Sequence, residues 1–249
     1  MLYIGTSGWQ YAHWRGTFYP PGVPQREWLA HYVRRFRTVE LNNSFYHLPE
    51  AATFEAWRRA TPGDFVFAVK MSRYLTHLKR LRDPAEPVAR FMDRAGRLGR
   101  KLGPVLVQLP PRMKADPARL DAALALFAAG TRVAVEFRDQ SWFCDEVRAV
   151  LEARGAALCL ADSPTFRTPA WRTAGWGFVR FHAGEGDPFP CYREGQLDRW
   201  ARRIAELWPP RATVHTYFNN DGNTCAPRDA VTFARLAERA GLIPSRTLS

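Results

Sequence analysis

Glu136, Asp162 and His182 are the residues of this 249-residue chain whose types most directly suggest chemistry. Each stands at the end of a short apolar run, and neighbouring run ends can converge two carboxylates and an imidazole on one divalent cation. Their mixed oxygen and nitrogen donors suit zinc, manganese or iron better than calcium. A cation held there would polarise a phosphoryl oxygen and generate hydroxide. The competing arrangement is ion pairing, with Glu136 against Arg138 or Arg180 and Asp162 capping a turn before Pro164. In a metal-free site, Glu40 or Glu136 is the base and His182 or His77 the acid.

Lys70, Arg138 and Arg180 form a cationic set, with His77 close by in sequence to Lys70. Two guanidinium groups and an ammonium suit a phosphate or carboxylate and would stabilise developing negative charge. The same groups would also neutralise the carboxylates just named. Trp9 and Tyr217 are the candidates for stacking on a base or sugar ring, whereas Trp14 and Trp142 read as plugs between loops and the body. Asn42, Asn43, Asn219 and Asn220 stand in pairs at two run ends. With Gln108 they offer the mixed donors and acceptors that hydroxyls or base edges require. Arg73, Lys79, Arg80 and Arg82 surround Thr76-His77 and read either as a basic lid or as a solvated amphipathic segment. His13, His31, His47 and His215 have no evident partners and read as core or surface residues.

Short apolar runs must position these groups. They lie at Leu2–Gly5, Thr38–Leu41, Phe65–Val69, Pro104–Leu109, Arg132–Phe137, Ala157–Ala161, Gly177–His182 and Thr213–Phe218. Their length and their β-branched and aromatic content predict strands buried on both faces. Helical patterns separate them at Gln25–Phe36, Glu50–Ala60, Pro84–Leu102, Pro117–Ala129, Cys144–Ala153, Gly195–Leu207 and Pro227–Ala240. Alternation of this kind means parallel strands with right-handed crossovers. About eight units in about 250 residues predicts an α/β fold, a single (β/α)8 TIM-barrel-like domain over residues 1–243 with a tail at 244–249. One crossover helix is replaced by a loop, since Ser163–Trp176 contains Pro164, Pro169 and Gly175. In such a barrel the functional residues gather at the strand carboxyl ends.

Those strand ends also carry a resemblance. Gly5-Thr6-Ser7-Gly8-Trp9 with Tyr11, Trp14 and Phe18-Tyr19-Pro20 resembles the opening of the DUF72 (YecE-like) family. So do Glu40-Leu41-Asn42-Asn43-Ser44-Phe45-Tyr46, Phe67-Ala68-Val69-Lys70 and Thr76-His77. Gln108-Leu109-Pro110-Pro111, Glu136-Phe137-Arg138 with Ser141-Trp142, and Tyr217-Phe218-Asn219-Asn220 continue the match over nearly the whole chain. The resemblance implies a TIM-barrel-like fold. For activity it points to nucleic-acid binding and to kinship with metal-dependent barrels of the endonuclease IV and sugar-isomerase type. In those barrels a glutamate from the eighth strand completes the metal set. Here Asn219 stands in that place, which weakens any metal site, and Ala183 follows His182 where glycine is usual.

The balance of 36 Lys and Arg against 24 Asp and Glu leaves a formal charge of +12, which favours anionic partners such as nucleic acid or phosphorylated small molecules. With 46% hydrophobic and 24% charged residues the chain is not a disordered one. No apolar run reaches the roughly 18 residues of a membrane span, and the opening residues are not a signal peptide, so a cytoplasmic location is expected. Cys144, Cys159, Cys191 and Cys225 are widely spaced and read as incidental thiols, neither a zinc site nor a disulfide framework. The expected function is a hydrolase acting on a phosphorylated or sugar-containing substrate, nucleic acid included, at the strand ends. A non-catalytic nucleic-acid-binding module and a metal-dependent sugar-phosphate isomerase are the alternatives.

Overall fold

A computed structural model describes residues 1–164, 166–245 and 247. Eight parallel strands form a nearly closed barrel: β1 (Leu2–Thr6), β2 (Thr38–Leu41), β3 (Val66–Lys70), β4 (Leu102–Gln108), β5 (Val133–Glu136), β6 (Ala157–Ser163), β8 (Gly177–Phe181) and β9 (Val214–Phe218). β7 (Phe166–Arg167) folds back antiparallel on the end of β6. Each barrel strand lies within two residues of an apolar run expected to form one. The helices are α1 (Trp28–Arg35), α2 (Asn43–Tyr46), α3 (Ala51–Arg59), α4 (Ala85–Ala95), α5 (Pro117–Leu124), α6 (Asp145–Ala153), α7 (Glu194–Leu207) and α8 (Cys225–Arg239). Between β6 and β8 the described residues hold no helix, as the prolines predicted. None of the helices is long and apolar enough to cross a membrane among the described residues.

Two differences from the expected helices have local causes. The long helix expected over 84–102 stops at Ala95 and continues as tight turns, because Gly99 takes φ +57°, where a helix cannot continue. α5 ends at Leu124, five residues early, in irregular turns that run to Gly130 at φ +86°.

Strand alternation sorts the side chains into two cores. Outward residues such as Ile4, Val39, Val69, Val107, Val135, Leu160 and Val179 pack under the helices. Inward residues Ala68, Leu106, Ala134, Cys159, Phe178 and Tyr217 fill the barrel itself. One inward step further along the strands, the residue types change from apolar to Ser7, Glu40, Lys70, Gln108, Glu136 and Arg180.

The ladder runs β1-β9-β8-β6-β5-β4-β3-β2 and leaves one seam, between β1 and β2. Side chains and single contacts close it. At the lower end, Ser245 N donates to Leu2 O (2.6 Å) and Ile4 N donates to Ser245 Oγ (3.2 Å). Of the tail expected at 244–249, Pro244 and Ser245 thus line the edge of β1, while Arg246, Leu248 and Ser249 lie outside the described residues. In the middle, Tyr32 Oη accepts from Thr6 N and donates to Thr38 O, both at 3.0 Å. At the top, Gly8 N donates to Glu40 O (2.8 Å). Gly5 faces the seam so closely that a Cβ there would stand 2.3 Å from Thr38 O.

The cysteines correct one expectation. Cys191 and Cys225 form a disulfide, with Cα atoms 4.9 Å apart across 34 residues of sequence. It ties the first residue of α8 to the segment that follows β8. Wide spacing carries no information about such a pairing, because the barrel, not the local chain, brings the two together. Cys159 is buried in the barrel and Cys144 half-buried, both as free thiols.

Tyr32→Phe should leave the Thr6 amide and the Thr38 carbonyl unpaired in the seam and cost about 1–3 kcal/mol. Gly5→Ala should cost more, since the backbone of β2 must move. Urea denaturation of both variants measures the order.

Candidate functional site

Arg180 lies at the centre of the inward polar layer, only 1% exposed, and bridges two fully buried carboxylates. Its Nη1 donates to Glu136 Oε2 (2.7 Å) and its Nη2 to Glu40 Oε1 (2.7 Å). Ser7 Oγ donates to the same Glu40 oxygen at 2.8 Å. These residues come from β8, β5, β2 and the end of β1, so one guanidinium joins opposite walls of the barrel. Burial alone would raise the Glu136 carboxyl, but Arg180, His182 and Arg138 outweigh it and hold it well below the ordinary range.

A second tier sits nearer solvent. Arg138 pairs with Glu136 Oε1, and His182 Nε2 lies 3.0 Å from that oxygen and 2.9 Å from Arg138 Nη2. On the other side of the imidazole, Asn219 Nδ2 lies 3.1 Å from Nδ1, and Asn42 Nδ2 donates to Asn219 Oδ1 (3.5 Å). Burial, opposed by Glu136, lowers the His182 pKa, so the ring is neutral near pH 7. One tautomer serves Asn219 and Glu136: Nδ1 accepts from Asn219 and Nε2–H donates to Glu136, while Arg138 Nη2, itself a donor, pairs with the same Glu136 oxygen. The result is a directed chain from Asn42 through Asn219 and His182 to Glu136.

Lys70 completes the cluster from the end of β3. It is 8% exposed, and its Nζ stands 4.1 Å from the centre of the Phe45 ring. Burial and then the charge of Arg180 push its pKa down to about 8, against the pull of Glu40 and Glu136. Phe45 in turn meets the His77 ring edge-on, and His77 is pushed down to about 4 by burial and by Lys70, Arg73 and Arg80. Beside this wall opens a cavity of about 390 Å3 lined by His77, Gln108, Leu109, Pro111, Arg138 and Phe166.

The expected residues therefore divide. Glu40, Lys70, Glu136, Arg138, Arg180, His182, Asn42 and Asn219 come together, and His77 and Gln108 line the adjoining cavity. Asp162 does not join them. It is out of phase with the inward Ala157 and Cys159, and faces a separate cavity of about 450 Å3 with Trp200 and Arg203 of α7. There burial raises its pKa. The metal set of Glu136, Asp162 and His182 thus does not fit a single cation. Asp162 is on the other face, and both oxygens of Glu136 are held by cations or imidazole. Among the described residues no three carboxylate, imidazole or thiol groups converge on a metal position.

The stacking candidates are also placed elsewhere. Trp9 is 4% exposed and packs edge-on against Trp57 of α3. Tyr217 is fully buried below the ionic layer and donates to Thr38 Oγ1 at 2.7 Å. Asn220 is a structural clamp, donating to Asp229 of α8 (2.8 Å) and to Pro190 O (3.2 Å). Asn43 is exposed in the first turn of α2. Trp14 and Trp142 are fully buried loop plugs, Trp142 stacking on Phe137. Ser7 and Phe45 belong to the site without having been singled out by type, and Tyr11, an aromatic expected on this face, joins them through its hydroxyl, which donates to Ser7 O (2.5 Å). The inward phase of β1, counted from Gly5, was the signal for Ser7.

Parallel α/β barrels with polar groups massed at the strand carboxyl ends form the class this architecture defines. Within it, the profile described as "Protein of unknown function DUF72" matches residues 3–247, and the chain belongs to that family. It is 26% identical over 282 aligned positions to the UPF0759 protein YunF of Bacillus subtilis (strain 168), covering 98% of each chain. The solved DUF72 family protein TM1631 of Thermotoga maritima MSB8 superposes with a TM-score of 0.85 at 29% identity, over 96% of this chain and 99% of that one. A DUF72 family protein of Enterococcus faecalis V583 (EF0366) shares the fold, with a TM-score of 0.80 at 17% identity and 96% of each chain covered.

Arg180→Met should strand two buried carboxylates and cost about 3–5 kcal/mol at neutral pH. Glu136 has a depressed pKa in the wild type, so its contribution is present above the unfolded carboxyl value and lost on acidification. In the variant, burial without the guanidinium favours the protonated form, and acid relieves the strain. The difference between the two proteins should therefore shrink between pH 7 and about pH 4.5, read by denaturant titration at both.

Proposed function

We propose that this protein is an enzyme that binds a small phosphorylated, hydroxyl-bearing molecule at the strand ends and works on it by proton transfer. One observation carries the reading. Three cations, Lys70, Arg138 and Arg180, face two carboxylates whose bonds go mostly to guanidinium, and the Lys70 ammonium has no hydrogen-bond partner among the described residues. An anion entering the neighbouring cavity supplies the missing charge and acceptors. Arg138, 24% exposed at its side chain, offers a planar fork for a phosphate. Asn42, Asn219 and Gln108 offer hydroxyl partners.

In this reading the buried Glu40–Arg180–Glu136 bridge is fixed scaffolding, and the groups that meet substrate are those above it. His182 keeps its Nε2–H on Glu136, and substrate that displaces the Asn219 amide from Nδ1 exchanges a proton with that nitrogen without a change of ring orientation. Neutral His77, at the cavity wall, accepts a proton at the other side. Hydrolysis of a phosphoryl or glycosyl bond and rearrangement of a sugar phosphate both draw on such a pair.

Inorganic phosphate, titrated into the protein and followed by NMR, should shift resonances of Lys70, His77 and Arg138 before those of the outer helices. Lys70→Met should weaken binding about tenfold or more. A nucleic-acid-binding module would behave otherwise: an arbitrary oligonucleotide would bind on Arg73, Arg80, Arg82 and exposed Tyr46 with a steep salt slope, indifferent to Lys70. Binding of that kind, with no phosphate response at Lys70, would overturn the proposal.

A further inference from the structure

The chain contains four lysines, and their surroundings differ sharply. Lys79 pairs with Asp83 at 3.3 Å and Lys114 with Asp139 at 3.2 Å, both near the surface. Lys101 donates to the carbonyl oxygens of Thr61 and Arg58. Lys70 alone has neither hydrogen bond nor ion pair among the described residues, yet it is the most buried of the four. In a chain where arginine is the cation of choice, a lysine at the heart of the ionic cluster calls for an account. Arginine would fill an anion site as well and would keep its charge in any surroundings; what lysine alone adds is an amine that can lose its proton and act as a nucleophile.

We propose that Lys70 forms a covalent imine with the carbonyl carbon of an open-chain sugar phosphate or a related phosphorylated aldehyde or ketone bound in the strand-end cavity. This inference rests on the functional reading above and names the reactive group within it. The lone pair of Nζ attacks the carbonyl carbon, the π electrons move to oxygen, and the oxygen takes up a proton to give a carbinolamine. The nitrogen lone pair then expels the hydroxyl as water, with a second proton, and leaves a protonated C=N bond. Both protons of the released water's balance come from the original ammonium, so no further acid, oxidant or reductant is consumed.

The surroundings suit each requirement. The face of Phe45 covers the amine on one side as a cation–π partner, which steadies the ammonium and the later iminium, so the neutral amine comes from burial and the neighbouring arginines. Four charged groups act on Lys70 from β2, β5, β8 and the end of β5: Glu40, Glu136, Arg180 and Arg138. The two arginines disfavour the ammonium and the two carboxylates favour it, but burial adds to the arginines' side. With the balance at about 8, about one amine in ten is neutral at pH 7, against about one in three thousand at the ordinary lysine value. The iminium that forms keeps a positive charge beside Glu40, whose Oε2 is buried with no hydrogen-bond partner. Arg138 lies on the cavity wall, where a phosphate on the same molecule finds its counterion.

The test is reductive trapping on the full chain. Dihydroxyacetone phosphate and sodium cyanoborohydride are added at pH 7 to 8, and peptides are mapped by mass spectrometry. The expected result is one adduct per chain, on the peptide carrying Lys70, forming about tenfold or more faster than on Lys79, Lys101 or Lys114. Inorganic phosphate should slow it by competition. Lys70→Arg keeps the charge and should abolish the adduct; if that variant fails to fold, the wild-type peptide map decides by itself. Labelling spread evenly over the four lysines, or absent from Lys70, overturns the imine. If phosphate still shifts Lys70 in that case, the anion site stands and only the covalent step falls; if phosphate has no effect either, both readings fall together.

Discussion

One guanidinium decides how the interior of this barrel is built. Arg180 is almost wholly removed from solvent, and a charge so placed survives only with counterions that complete its hydrogen bonds. Glu40 and Glu136 supply them from opposite walls. Once that bridge is fixed, the positions of its neighbours follow. Ser7 is directed at Glu40, Arg138 and His182 share the second oxygen of Glu136, and Lys70 is left on the far side, where no carboxylate oxygen bonds it. The apolar layer beneath, with Phe178 and Tyr217 packed at 5.3 Å, gives the bridge a dry floor. Charge inside and charge at the mouth are thus one system, rigid below and open above.

Much of this was legible in the residues themselves. Apolar runs of five or so residues separated by amphipathic stretches announced the barrel, and each strand formed where its run predicted. The convergence of Glu40, Lys70, Glu136, Arg180 and His182 followed from their common place at strand ends. Ion pairing, weighed against a metal site from the start, is the arrangement the side chains take. Asp162 shows where strand-end position alone misleads. Cys159 points into the barrel, so a residue three further along must point out, and only the phase of β6 separates it from His182.

Depth and long-range contact were not legible. Tyr217 and Asn219 share a face of β9, yet the first lies under the ionic layer and the second beside it, a distinction that depends on strand stagger. Phe45 and Lys70 are 25 positions apart, and nothing in their spacing says that a ring will lie against the amine. Cys191 and Cys225 meet because α8 starts against the chain leaving β8. Each depends on how the strands tilt around the axis, which the local pattern of residues does not encode.

The seam between β1 and β2 has a mechanical meaning. A closed hydrogen-bonded hoop shares tension evenly, whereas this hoop has a joint held by Tyr32 and by one backbone contact, Gly8 to Glu40, with a C-terminal segment along the β1 edge. Ser7 and Glu40 stand on either side of the joint, and Arg180 reaches across the lumen to touch both. The ionic cluster is therefore also the clasp of the hoop. Any breathing motion that parts β1 from β2 pulls Ser7 away from Glu40 and loosens the grip of Arg180. The looser the joint, the less defined the constellation of Ser7, Glu40 and Arg180.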